Sequence, residues 1–317
     1  MEQRAAVLLM RHLRLRHIEL LNVLSRSRTM HAASNELKLS QPAISKMLRE
    51  IESTFGASLF ERSKSGIRPT AAGSIAIRLA HIIFNEVSIA ADEISMLQGA
   101  GHPVLRLGTV SVTSLVPQAI TLLRRSVPDA IVQIREGPVD ALVERLLSAE
   151  LDCVVGALDP GFLGRPEMSD LAASTVLEDR LCIVASPKHP MAKAKRLSWS
   201  DVSAGPWVLP PSETVLRHAF AATFLQQGLV SPRPTVETLS PITLAAIVRN
   251  DPDLLGVLRN EQFRTEQDYR TLVELAVSPL APLPPFSLFT RRKRSPPPPL
   301  LDAFHNALKQ AAKGRLR

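Results

Sequence analysis

The 317-residue chain holds only two cysteines, Cys153 and Cys182, with no CxxC spacing and no neighbouring histidine. That argues against a disulfide framework and reads as two buried thiols in a reduced cytoplasm. No apolar run approaches the roughly 20 residues that span a bilayer, so no membrane segment is expected. The opening MEQRAAVLLMRHL has a short apolar stretch without a small-residue cleavage site, so a secretory signal is not expected either. Catalytic signatures are missing too: GxSxG, HExxH and GxxxxGK[ST] do not occur, nor do paired carboxylates at helical spacing beside a nucleophile. The eight histidines are scattered. An enzyme is therefore not expected, and neither is a cofactor or a metal.

What is present is an apolar content of 45%, enough for a sizeable core, in a length that accommodates two or three domains of roughly 100–200 residues. The net charge is +8, and its placement says more than its sum. Residues 11–70 carry eleven Lys and Arg against five Glu, a net of +6 in under a fifth of the chain. Such a patch is the footprint of a polyanion. A membrane surface would compete, but the apolar residues here form narrow packing stripes, which favours nucleic acid.

Within that patch, residues 29–52 have the grammar of two short helices and a tight turn. Thr29 can cap the first, with Ala32, Ala33 and Leu37 on its packing side and Lys38-Leu39 as the turn. Ser40 is a good N-cap for the second, with Pro42 in the first turn where a missing N–H costs nothing. Ile44, Met47, Leu48 and Ile51 make one inward stripe; Gln41, Ser45 and Arg49, with Lys46 beside them, make a polar, basic side. Hydroxyl, amide and guanidinium groups so spaced can reach base edges and phosphates in a major groove. An ordinary amphipathic hairpin with a solvated face would look similar. His31 belongs with the groove-facing pair. A preceding helix built on Leu13, Ile18, Leu21, Val23 and Leu24 would complete a trihelical unit.

Gly56 ends the third helix, Leu59-Phe60 starts a strand, Lys64-Ser65-Gly66 turns, and Pro69-Thr70 stops the return strand and caps the next helix. Arg62 and Arg68 on the arms of this hairpin suit a wing that presses on the sugar–phosphate backbone. Residues 71–98 then form one helix near 40 Å long at roughly 1.5 Å per residue. Ala76, Ala80, Ile83, Val87, Ala90, Ile94 and Leu97 step by four and three, a heptad seam read as a dimerisation helix. A long helix lying on its own domain is the alternative. Residues 99–103 read as a hinge.

Beyond Val104 strands and helices alternate: 105–110, 115–126, 131–135, 140–149 and 151–158, implying a parallel sheet with right-handed crossovers. The pattern restarts with strands at 181–185, 207–209, 236–238 and 254–258 and helices at 215–227 and 243–249, then strands near 272–277 and 286–290 and a helix at 300–312. Two α/β lobes with two crossings are expected. Ligands in such sheets sit at the carboxyl ends of strands, against helix N-termini. Hydroxyl-rich helix openings at Ser111, Val112, Thr113 and Ser114, at Ser212 and Glu213, and at Thr238 and Ser240 are therefore candidate effector contacts, although each is also a plain N-cap.

The series Ala32-Ala33-Ser34, Leu37, Ser40-Gln-Pro-Ala-Ile-Ser-Lys46, Ile51, Phe55-Gly56, Leu59-Phe-Glu-Arg62, Pro69-Thr70 and Gly73 resembles the winged helix-turn-helix of LysR-type transcriptional regulators. The long helix and the segments Leu105-Arg-Leu-Gly-Thr-Val110 and Glu150-Leu-Asp-Cys-Val-Val-Gly156 extend the resemblance over nearly the whole chain. Trp207-Val-Leu-Pro-Pro211 and Val236-Glu-Thr238 are similar to the branch of galactose-binding-protein and protocatechuate regulators. The resemblance implies recognition-helix positions at Ser40, Gln41, Ala43, Ser45, Lys46 and Arg49, wing positions at Arg62 and Arg68, and an effector pocket beginning at residues 111–114. Arg28, Thr29, His31 and Thr70 complete the expected DNA-binding set.

The resulting expectation is multidomain: a winged helix-turn-helix over residues 12–70 (helix-turn-helix at about 29–48), a dimerisation linker helix over 71–99, and a two-lobed, periplasmic-binding-protein-like α/β effector domain over 104–317, with lobe I at 104–160 and 266–317 and lobe II at 161–265. Double-stranded DNA, a small polar effector (a sugar or an organic or aromatic acid), a second copy of the chain as dimer or tetramer, and RNA polymerase are the expected partners, in the cytoplasm. Two other readings stay open: a solute-binding protein without DNA function, and a serine hydrolase using Ser111 or Ser212.

Overall fold

A computed structural model of the chain describes residues 11–27, 29–63, 66–98, 101–110, 115–158, 161, 164–268, 271–292 and 299–314. Its packing separates into two compact units, Met1–Pro103 with Leu147–Glu150, and Val104–Leu146 with Leu151–Arg317.

In the first unit, α1 (Leu15–Ser27), α2 (Met30–Leu37) and α3 (Gln41–Phe55) precede the hairpin β1 (Phe60–Ser63) and β2 (Gly66–Pro69) and the long α4 (Ala71–Leu97). Ile18, Leu20, Leu21 and Leu24 of α1 bury against Ala33, Ile44, Ile51, Leu59 and the start of α4. Short-range chemistry sets the ends of the helices. Thr29 Oγ1 accepts from Ala32 N at 3.1 Å and Ser40 Oγ from Ala43 N at 3.3 Å, while Lys38 (φ 54°) and Gly56 (φ 64°) close α2 and α3 in the left-handed region. Thr70 Oγ1 accepts from Gly73 N at 3.0 Å and donates to Ser58 O at 2.8 Å, tying α4 to the loop before β1. Gly73 has to be glycine: a Cβ there would lie 1.9 Å from Leu59 O.

The heptad seam on α4 divides in two. Ala76 and Ala80 are 2% and 0% exposed inside the unit's own core, and Ile83 packs against it, so these three belong to the domain rather than to a partner. Further along the same face, Val87 and Ile94 are 52% and 56% exposed and Ala90 is exposed; the Leu97 side chain is outside the described residues. The expectation about apolar length is also corrected. Ala71–Ala91, at mean hydropathy 1.3, is long and apolar enough by composition to cross a membrane. Runs interrupted by Arg78 and Glu86 hide that average.

The second unit is built on a mixed sheet of nine strands among the described residues, in the order β4-β3-β5-β13-β6-β10-β8-β9 with β11 (Val273–Glu274) also on β6, while β7 (Leu197–Ser198) and β12 (Val277–Ser278) pair as a separate parallel ladder. β3 (Val104–Thr109) runs parallel to β4 (Ile131–Glu136) and β5 (Cys153–Gly156), as the alternation of strands and helices predicts. β13 (Pro282–Arg291) is antiparallel to β5 and to β6 (Leu171–Ala185), because the chain returns from the second lobe in the opposite direction, so the parallel run is part of a mixed sheet. β6 belongs to both lobes. Leu171–Arg180 pairs with β13, and Leu181–Ala185 pairs with β10 (Leu255–Arg259), which is parallel to β8 (Trp207–Leu209), itself parallel to β9 (Pro234–Glu237). Periodicity found only the last third of β6, whose fully buried residues form a continuous apolar run; the earlier part alternates buried with exposed positions.

Helices α5 (Leu115–Ser126), α6 (Val139–Leu147) and α11 (Pro299–Lys313) belong to the first lobe's strands, with α5 and α11 packed on its core. The short α7 (Trp199–Val202), α8 (Val215–Gln226), α9 (Pro241–Asn250) and α10 (Asn260–Asp268) surround the second. Trp207, fully buried, lies with its ring 4.9 Å from Phe220, and Trp199 stands 5.2 Å from Phe224, filling the second lobe with edge-on aromatics. Cys153 and Cys182 are both buried free thiols, and burial pushes each thiol up from its ordinary range.

Candidate functional sites: a DNA-reading surface and an interlobe cavity

On α3, Ile44 and Ile51 are fully buried while Gln41, Lys46 and Arg49 are exposed and Ala43 and Ser45 half-buried, so one helix has a packed side and an exposed polar side. Arg49 Nε donates to Ser45 O at 3.2 Å, which lays the guanidinium along its own helix. His31 is exposed on α2, its Nε2 3.4 Å from Asn35 Nδ2. Arg68 is exposed on β2, opposite Glu61 in the hairpin register, and Thr70 serves as the cap described above. Arg28 and the Arg62 side chain lie outside the described residues; the Arg62 backbone pairs with Ile67.

Two features were not read from the sequence. Glu52 Oε1 accepts from Leu59 N at 2.8 Å and from Phe60 N at 3.3 Å, fastening the end of α3 to the first strand of the hairpin. A shallow groove of about 610 Å³ beside α3 brings His12 and Arg14 together with Lys46, Arg49 and Glu50. Arg14 N donates to Nδ1 of His17, whose ring is buried and 3.7 Å from Glu50; burial lowers its pKa, against the opposing pull of Glu50.

In the second unit a cavity of about 580 Å³ opens at the carboxyl ends of the parallel strands. Its wall takes Val110 just after β3, Pro138 after β4, Ala157 and Leu158 after β5, Pro210 after β8, Thr238 after β9, and Leu258 and Arg259 at the end of β10. The starts of α6, α8 and α10 supply Asp140, Glu213 with Thr214, and Glu261 with Gln262. This is the place where open α/β sheets hold ligands. Of the predicted contacts, Glu213 and Thr238 line the cavity. Ser212 is exposed with its Oγ donating to Glu213 Oε2 at 3.3 Å, and Ser240 caps α9 by accepting from Thr243 N; neither is among the lining residues. Ser111, Val112, Thr113 and Ser114 lie outside the described residues.

Charges that the sequence did not single out are interlocked at the base of this cavity. Arg259 Nε donates to Asp179 Oδ2 at 2.6 Å and its NH2 to Pro284 O at 2.9 Å, with the guanidinium 5.9 Å from the Phe286 ring centre. Asp179 Oδ1 accepts from Arg180 N and from Glu261 N. Glu261, 2% exposed, accepts from Leu115 N at 2.9 Å across a separation of 146 residues, so a carboxylate from α10 caps α5. The Asp179 bonds join β6 to β10 and α10, and the Glu261 carboxylate joins α10 to α5.

A helical DNA reader with a basic face, followed by a two-lobed sheet with a cavity at its strand ends, defines a ligand-responsive DNA-binding regulator. Residues 15–74 match the description "Bacterial regulatory helix-turn-helix protein, lysR family" and residues 98–313 match "LysR substrate binding domain". The chain belongs to the LysR family of transcriptional regulators. It is similar to the HTH-type transcriptional regulator GbpR of Azospirillum brasilense, 32% identical over 246 residues that cover 75% of this chain and 70% of the relative. It is also similar to the regulator GalR of Pseudomonas putida, 28% identical over 74% of this chain and 59% of the relative. Among solved structures, full-length OxyR from Pseudomonas aeruginosa shares the fold at a TM-score of 0.66 and 19% identity, covering 94% of this chain and 98% of that one.

Proposed function

We propose that the chain reads an operator with the exposed face of α3, that Val87, Ala90 and Ile94 of α4 contribute to self-association, and that the cavity holds a small polar effector, a sugar or an organic or aromatic acid. The cavity at the carboxyl ends of β3, β5, β8, β9 and β10 carries this reading, since it is lined from both lobes. Effector binding draws the lobes together around the Arg259–Asp179–Glu261 network and changes the spacing or bend that paired readers impose on DNA. The proposed setting is the cytoplasm, where DNA and RNA polymerase are both at hand, with the sensing unit binding its ligand without turning it over.

The exposure of Arg49 beside the half-buried Ser45 supports a base-reading role. Arg49→Ala is expected to weaken operator binding by about 1–3 kcal/mol, with a smaller effect on random DNA. An equal loss on both would make it a phosphate contact. Footprinting with and without effector tests the switch, and identical protection and bending would remove it.

A further inference from the structure

We infer that the cavity is built for an uncharged, hydroxyl-rich molecule of sugar size and against carboxylates. This rests on the reading of the cavity as the effector site and narrows it.

The usual attraction of such a cavity for an anion is a helix N-terminus and an arginine. Among the described residues, the Leu115 amide at the start of α5 and the Arg259 guanidinium are both engaged from within the chain. The amide of Leu115, at the start of α5, donates to the buried Glu261 carboxylate at 2.9 Å. An incoming carboxylate at that spot would meet a like charge away from water, which forces one of the two to take a proton. The guanidinium of Arg259 is matched to Asp179, whose side chain is fully buried, and to the Pro284 carbonyl. Of the cations among the described lining residues that leaves Arg165, which is exposed and has a partner of its own.

The remaining polar lining asks for hydrogens. Asp140 and Glu213 stand exposed at the starts of α6 and α8, and an ionised carboxylate only accepts. Gln262, with Oε1 taken by Arg259 N at 3.2 Å, has its Nε2 to donate. Acceptors and a donor among Val110, Val139, Leu158, Leu244 and Phe286 match a molecule with hydroxyls at its edges and C–H groups on its faces. A volume of about 580 Å³ admits one or two sugar rings. Asp140 and Glu213 would accept from an ammonium group as well, so a diamine is the competing class that the test includes.

The test uses the full chain and its operator, with thermal melting, calorimetric titration and DNA-affinity measurements. The probes are D-glucose, D-galactose, D-xylose and L-arabinose; benzoate, 3,4-dihydroxybenzoate and citrate; and putrescine. At least one sugar should bind and shift DNA affinity, while carboxylates do neither. Glu261→Gln keeps an oxygen for the Leu115 amide and removes the charge, so it should raise carboxylate affinity on the order of tenfold while changing sugar affinity far less. Carboxylate or putrescine binding to the unaltered chain, with sugars inert, overturns the inference and leaves the sensor reading standing. A Glu261→Gln protein that still refuses carboxylates also overturns it. If no probe of any class binds or alters DNA affinity, the inference and the sensor reading fall together.

Discussion

The two units hold their charges in opposite ways. In the reader, Gln41, Lys46 and Arg49 stand in solvent on one face of α3, each free of any obligation to the fold beyond a helical bond such as Arg49 to Ser45 O. In the sensor, Arg259, Asp179 and Glu261 are nearly or fully buried, and each satisfies the others or a backbone amide. Exposed charges cost little to keep and can be exchanged without harm to the core, whereas buried ones are tolerable only as a completed set. Under the proposed function, specificity for DNA can therefore drift on α3 with the fold unchanged, while a change in the charges beside the cavity alters ligand and stability at once.

The largest expected effect lies in that set. Arg259→Met leaves Asp179 buried without its cation and is expected to cost the second unit about 3–5 kcal/mol, read from denaturant midpoints. Adding Asp179→Leu should recover much of that loss, short of the bonds Asp179 accepts from Arg180 N and Glu261 N. If the double variant is as unstable as the single, the pair is not the interlock described here. A purely apolar counterpart sets the scale. Trp207→Ala, which empties the edge-on cluster with Phe220 and Phe224, should cost about 3–5 kcal/mol, against about 2–5 kcal/mol for Ile51→Ala in the reader. Separate melting transitions that move only in the altered unit would sharpen the contrast, and a shared shift would break it.

The same contrast explains what could be read from the chain alone. The reader's surface is local: Ser40, Gln41, Ser45 and Arg49 lie within ten positions, and helical spacing puts them on one side. Its caps at Thr29, Ser40 and Thr70 follow from residues three apart. The cavity is assembled from segments as distant as Val110, Asp140, Glu213, Glu261 and Phe286, and the bond from Glu261 to the Leu115 amide leaves no pattern in either stretch. Only its polar helix openings were visible, which is why Glu213 and Thr238 were found and Arg259 and Glu261 were not. The α4 seam misled for a related reason. A heptad pattern says that a face is covered, and here the unit's own α1 covers Ala76 and Ala80 before any second copy could.

A smaller effect belongs to the reader's caps. Ser40→Ala removes the acceptor for Ala43 N at the start of α3 and is expected to cost about 1 kcal/mol. Ser40→Asp should retain the bond and the fold while placing a negative charge beside the proposed DNA-reading residues, so operator affinity is expected to fall without loss of stability. Equal DNA affinity for the serine and aspartate forms would show that the start of α3 lies away from phosphate.

The smallest expected effect is one that both units share. His17 in the reader and His189 in the sensor each accept a backbone N–H at Nδ1, from Arg14 at 3.3 Å and from Met191 at 3.0 Å. Burial lowers the pKa of both below the ordinary histidine value, with Glu50 and Asp253 pulling the other way. A group whose folded pKa is depressed holds its contribution above the unfolded value of 6.5 and loses it as pH falls, because the unfolded chain then binds the extra proton. Each unit should therefore lose stability on going from pH 7.5 to 5.5, with at most one proton of slope from each ring. His17→Asn and His189→Asn keep an acceptor oxygen and cannot titrate, so each should flatten the acid slope of its own unit and leave the other unchanged. Wild-type and variant midpoints that fall in parallel would assign the slope to carboxylates. A slope that flattens in both units for one substitution would mean that the reader and the sensor unfold together.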